Sequence, residues 1–234
     1  MALKRIILKI SGEYLAGKNN FGFDQNILNQ LSDDIIEVKK LGIDIGIVLG
    51  GGNIYRGAEG EKGDMDRVTG DNTGMLATLQ NSLVLGNTLI RKGFPIELFS
   101  ALQIDKVARF YRVSNVIDSF AEGKICFLAC GTGNPFFTTD TAAVLRAVEL
   151  KACLVLKGTK VDGVYSSDPT IDDNAVLYSK LSYDEALDKR LKVMDITAFS
   201  LARENKMTLK VFNISRIGNI KNAVFDPEVG TLVD

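Results

Sequence analysis

The chain has 234 residues, 46% of them hydrophobic, which is ample for a sizeable core in one large domain or two small ones. Its 28 basic and 29 acidic residues leave a net charge of −1, which argues against a nucleic-acid or membrane-surface binder, so any anion site has to be local. There is no histidine, which excludes Ser-His-Asp and Cys-His nucleophilic systems and leaves lysine, arginine, carboxylates, hydroxyls, backbone amides and metal to carry any chemistry.

In chain order, Lys4 to Ile10 reads as a strand ending at Ser11-Gly12, and Gly17 to Asp24 as a polar, glycine-bearing loop. From Asp24 onward, Ile27, Leu28, Leu31, Ile35, Val38 and Leu41 recur at helical spacing and stop at Gly42. Ile43 to Leu49 is a second strand, running into Gly50-Gly51-Gly52-Asn53. Strand, helix and strand in so short a span predict a parallel pair with a right-handed crossover. The charged segment Glu59 to Thr69 reads as either a lid or an ordinary solvated loop. Thr73 to Arg91 is a long helix with Asp71 placed to cap it, and Phe94 to Phe99 a strand. Ile104 to Phe110 is expected as a helix, Val113 to Ile117 as a short strand, Ile125 to Ala129 as a buried strand, Thr141 to Leu150 as a helix and Cys153 to Lys157 as a strand. Residues 158–169 are turn-rich, and helices near Asp184 to Arg190 and Asp195 to Asn205, a strand at Leu209 to Phe212, a short helix near Ile220 to Phe225 and the terminal Gly230 to Val233 follow. The three cysteines, Cys126, Cys130 and Cys153, lie in apolar runs and are expected in the core. The apolar runs are too short to span a membrane and the start shows no signal-peptide pattern, so a cytoplasmic protein is expected.

The stretch Gly131-Thr132-Gly133-Asn134-Pro135-Phe136-Phe137-Thr138-Thr139-Asp140 joins a strand's end to a helix's start. Glycines there bring backbone amides close to a ligand, threonines add hydroxyls, and the first amides of a helix favour an anion. Asp140 is then either a site residue or the helix cap. Gly50-Gly51-Gly52-Asn53-Ile54-Tyr55-Arg56-Gly57 follows a strand but is neither a Walker loop nor a dinucleotide fingerprint. Parallel strands place their C-terminal ends together, so these loops converge with Lys9 and with Lys157 and Lys160 on one edge. Four loop-bearing strand ends carrying Lys9, Arg56 and Lys157 or Lys160 suit a polyphosphate.

Together Leu8 to Glu13, Gly50 to Gly57, Gly131 to Asp140, Lys160 to Tyr165 and Val193-Met194-Asp195 resemble the bacterial uridylate kinases of the amino acid kinase family, and the likeness spans the whole chain. The resemblance implies an α/β fold: a three-layer αβα sandwich with a mainly parallel central sheet and two lobes, about 1–150 for UMP and about 151–234 for ATP. It also implies ATP-Mg²⁺-dependent phosphorylation of UMP to UDP, a homohexamer, activation by GTP and inhibition by UTP, with no nucleic-acid or membrane partner. By motif, Lys9, Ile10, Ser11, Gly12, Gly52 and Arg56 would face the ATP phosphates, and Thr159, Tyr165 and Asp168 the adenosine end. Gly51, Asp71, Thr132, Gly133, Asn134, Pro135, Phe136, Phe137, Thr138 and Thr139 would hold UMP, and Gly17, Lys18, Asn19, Asn20, Phe21 and Gly22 would receive GTP. Lys9, Arg56 and Asp140 are the expected catalytic residues, with no protein site assigned to the metal. The chemistry agrees: an acceptor phosphate with a second pKa near ~6 is already an anion and needs no general base. An amino acid kinase acting on aspartate or acetylglutamate, and a nucleotide-sensing or oxyanion-storage protein without turnover, are the competing readings.

Overall fold

The computed structural model describes residues 4–55, 65–191 and 193–234. The first half runs β1 (Arg5–Ile10), α1 (Gly12–Leu15), α2 (Gln25–Lys39), β2 (Asp44–Leu49), α3 (Arg67–Arg91), β3 (Ile96–Ser100), β4 (Arg109–Phe110), α4 (Val113–Ala121) and β5 (Ile125–Ala129). It continues with α5 (Thr139–Glu149), β6 (Leu154–Thr159), β7 (Lys180–Leu181), α6 (Tyr183–Asp188), α7 (Ile196–Glu204), β8 (Leu209–Asn213), α8 (Asn219–Phe225) and β9 (Thr231–Val233). Among the described residues these strands form one sheet in the order β4-β3-β5-β2-β1-β6-β8-β9-β7, parallel except between β8 and β9.

Period-two alternation separates the layers. On β1, Ile6, Leu8 and Ile10 enter one core with the apolar faces of α2, α3 and α8, while Ile7 enters the other with α4 to α7. On β6, Leu154 and Leu156 join the first core and Val155 the second. The three-layer αβα sandwich with a mainly parallel sheet expected from sequence is the fold observed. The α2 periodicity behaves as read: the Asp24 carboxylate caps Asn26 and Ile27, and Leu28, Leu31, Ile35 and Val38 are buried.

Several local readings change. Ile104 to Phe110 forms a single turn, with Val107 and Ala108 both donating to the Ile104 carbonyl, because β3 then draws Arg109 and Phe110 into register as β4. Val113 to Ile117 belongs to helix α4, since Val116 and Phe120 bury one face at helical spacing; a β-branched run had masked the longer period. Helix α3 starts at Arg67, where Asp66 is the cap, and Asp71 lies inside the helix. Residues 67–69 are thus helical instead of part of the charged loop, and Arg56 and residues 59–64 lie outside the described residues. Cys126 and Cys130 are buried as expected, but Cys153 is exposed at the start of β6. Among the described residues no helix is long and apolar enough to cross a membrane.

Candidate active site

The site grows from the parity of two neighbouring strands. Lys9 on β1 and Lys157 on β6 are paired in register and follow the alternation of Ile7 and Val155, so both side chains face the α5 layer near the C-terminal edge of the sheet. There the first turn of α5 presents Asp140. Its Oδ1 lies 2.9 Å from Lys9 Nζ and its Oδ2 2.6 Å from Lys157 Nζ, while Lys157 also donates to the Val193 carbonyl at 2.7 Å. All three side chains are largely shielded from solvent. Burial alone would raise the Asp140 carboxyl, yet the two ammonium groups outweigh it and hold the pKa below the ordinary carboxylate range. Burial pushes the Lys157 ammonium below the usual lysine value, with Lys9 adding to that shift and Asp140 opposing it. Asp140 does not cap its helix; Thr138 does, its hydroxyl accepting from the Asp140 and Thr141 amides. The Asp140 carboxylate is thereby left to the lysines.

Glycines bring the loops at the sheet edge together. A Cβ on Gly12 would stand 2.5 Å from the Gly50 carbonyl and 2.6 Å from Asn53 Oδ1, so only glycine allows β1 to pass into α1 beside the glycine-rich loop. Gly51 packs as closely on α3, where a Cβ would meet the Gly74 carbonyl at 2.7 Å. A buried amide pair then fixes this loop: Asn81 donates to the Gly50 carbonyl and to Asn53, and Asn53 donates to Asn81 and to the Gly22 carbonyl. Gly22 is the last residue of the loop 17–22, and its amide returns a bond to the Asn53 carbonyl, so this loop is tied directly to the sheet edge. Ile10 has its side chain in the core and gives its carbonyl to the Gly50 amide, so it shapes the edge from within.

Two cavities open from this edge. The larger, about 560 Å³, is lined by Lys157, Thr159, Tyr165 and Asp168 together with Val193 and residues 189–191. The smaller, about 230 Å³, is lined by Gly51, Gly52, Asp71, Thr132, Asn134, Phe137, Thr138 and Thr139. Lys157 belongs to the wall of the first cavity and Thr138 and Thr139 to that of the second, so Asp140 and its lysines stand between them. Of the expected acceptor residues, Gly133, Pro135 and Phe136 are not in the wall of the smaller cavity; Phe136 donates its amide to Asp71, which also pairs with Arg67 at 2.8 Å. Lys160 is exposed, leaving Lys157 as the lysine of that strand end which enters the site.

Two residues escaped the sequence assignment. Lys157 was visible only as one of two lysines at a strand end, and strand parity selects it. Asp195 caps α7 through the Ala198 amide and accepts from the hydroxyls of Thr138 and Thr141, tying the start of α7 to the start of α5. Its signal was the motif Val193-Met194-Asp195, which carried no role by itself.

Ammonium groups and close-packed backbone amides at a parallel sheet edge, set between two cavities, are the equipment of phosphoryl transfer. The chain belongs to the amino acid kinase family, whose model matches residues 4–213. The relatives it matches over nearly its full length are uridylate kinases. It is 47% identical to that of Pseudoalteromonas atlantica, over 99% of this chain and 94% of the relative. It is 46% identical to that of Vibrio cholerae, over 99% and 96%. Among solved structures, UMP kinase from Ureaplasma parvum superposes with a TM-score of 0.95 at 38% identity over the whole of both chains. That from Bacillus anthracis gives 0.96 at 35% identity over 99% of this chain and 96% of that one.

Proposed function

We propose that the chain transfers the γ-phosphoryl group of ATP, bound as its Mg²⁺ complex, to UMP, giving ADP and UDP reversibly in pyrimidine nucleotide biosynthesis. The observation that carries this reading is Asp140 held by Lys9 and Lys157 between two cavities. The larger cavity takes the adenosine end of ATP against Thr159, Tyr165 and Asp168, and the smaller takes UMP against Gly51, Asp71 and residues 132–139. On this reading residues 1–150 form the UMP lobe and 151–234 the ATP lobe. The relatives' activity supports the choice of acceptor.

Lys9 and Arg56, with the amides of residues 10–12 and 52, neutralise charge on the transferring phosphoryl oxygens. Asp140 orients both lysines and lowers the cost of keeping two ammonium groups side by side. The acceptor is an anion at neutral pH, so no base is required, which suits a chain without histidine. Mg²⁺ carried by ATP would shield its phosphates, with no residue of this chain assigned to hold it. GTP activates at the loop 17–22, whose bonds between Gly22 and Asn53 give it a direct route to the glycine-rich loop; UTP inhibits, and the working assembly is a cytoplasmic homohexamer.

The test is ADP release from ATP-Mg²⁺ with UMP, CMP, AMP, aspartate and acetylglutamate offered separately, each with and without GTP. Turnover confined to UMP and stimulated by GTP is the expected result. Turnover with an amino acid would overturn the acceptor, and tight UMP binding without turnover would make the protein a sensor.

A further inference from the structure

Helix α5 touches the 131–139 loop a second time, through Arg146 further along the helix. The loop leaves β5 through two successive residues in the left-handed region, Cys130 at φ 61° and Gly131 at φ 58°. A cysteine held there is strained, and such a turn persists only when its surroundings fix it. Two side chains do so. The Thr78 hydroxyl of α3 accepts from the Cys130 amide at 2.8 Å, and Arg146 donates Nη2 to the Gly131 carbonyl at 3.0 Å.

Arg146 is an unusual residue to find on a helix face in the core. Its side chain is 7% exposed, and burying a guanidinium is costly unless its donors are met. Nη1 pairs with Glu149 at 2.8 Å, and the guanidinium lies over the Tyr111 ring, 3.8 Å from its centroid. Tyr111 in turn donates its hydroxyl to the same Glu149 oxygen at 2.7 Å. Tyr111 and Glu149 thus fix the planar fork from behind, leaving Nη2 aimed at the loop's first carbonyl. The other end of the loop is held by Thr138, through its cap on α5 and its bond to Asp195.

We infer that Arg146, seated by Tyr111 and Glu149, is a positioning residue that sets the turn at Cys130-Gly131 and so aims Thr132, Asn134 and Phe137 into the smaller cavity. This rests on reading that cavity as the UMP site. It assigns acceptor affinity to a side chain outside the cavity wall, which acts only through the backbone of Gly131.

The test separates the two substrates. In Arg146→Lys, which keeps the charge but loses the fork, KM for UMP should rise about 10-fold while KM for ATP stays within about 2-fold. Tyr111→Phe, which keeps the ring but frees Glu149, should shift KM for UMP in the same direction by about 3-fold, and the double variant should lose less than the product of the two. Should Arg146→Lys fail to fold, Tyr111→Phe and Glu149→Gln carry the measurement. Folded variants with an unchanged KM for UMP, or with equal rises for both substrates, would overturn the inference. Wild-type protein idle toward UMP would instead remove the functional reading, a result the parent enzyme alone reveals.

Discussion

The two cavities are built in opposite ways. The larger is lined mainly by one stretch, residues 157–170, with short contributions from residues 189–191, Val193 and Val211. The smaller draws its walls from three distant segments, 51–55, 70–78 and 131–139, with the middle one fastened to the first by glycine contacts and to the last by side-chain bonds to backbone. A site made from one stretch can keep its shape when its neighbours shift slightly. A site assembled from three depends on the packing that joins them, and its affinity is sensitive to residues that never touch ligand.

The largest effect is expected between the two cavities. Lys9→Ala should lower kcat by about 10²-fold or more with UMP binding little changed, measured by steady-state rates beside UMP titration. A near-normal rate would remove Lys9 from the reaction. Next is Asp140→Asn, which leaves two shielded ammonium groups without a carboxylate. Breaking a buried ion pair costs about 3 to 5 kcal/mol, so both the melting temperature and the rate should fall, the rate by about 10-fold or more. A lowered melting temperature with an unchanged rate would reduce Asp140 to a structural residue.

A smaller effect would sharpen the assignment of the second cavity. Asp71 stands in its wall, and a carboxylate bonded to a ribose hydroxyl there predicts that dUMP is used about 10-fold less efficiently than UMP. Equal efficiencies would detach Asp71 from the sugar, leaving it the bonds to Phe136 and Arg67 seen here. The smallest effect is on stability in acid. The folded pKa of Asp140 is lowered from 3.8, so the folded state binds fewer protons than the unfolded one around and below that value. Its contribution is complete above the unfolded pKa and is lost as pH falls through the folded one. Wild type should therefore lose stability faster than Asp140→Asn as pH drops below about 4, a difference that denaturant titrations at stepped pH would read.

Much of this was legible in the residues. Hydrophobic period gave α2, the core strands and the strand–helix alternation, because a strand buried on both faces and a helix buried on one leave different spacings, while the αβα layering came with the family resemblance. The glycine-rich strand ends located the site, since parallel strands bring those ends to one edge. Boundaries were less legible: the start of α3 at Arg67 lies in a charged segment with no apolar period, and α4 begins with residues that favour strands.

By itself, then, the chain's sequence determined the αβα architecture, the absence of histidine chemistry and the identity of Lys9, Asp140 and the 131–140 loop as candidates. Only the tertiary structure decided between Lys157 and Lys160, gave the cap to Thr138 and freed Asp140 for two lysines, and placed Asp195 and Arg146 behind the loop. The reason is physical: secondary structure follows from local spacing, whereas a charge network is fixed by the register of strands and helices far apart in the chain.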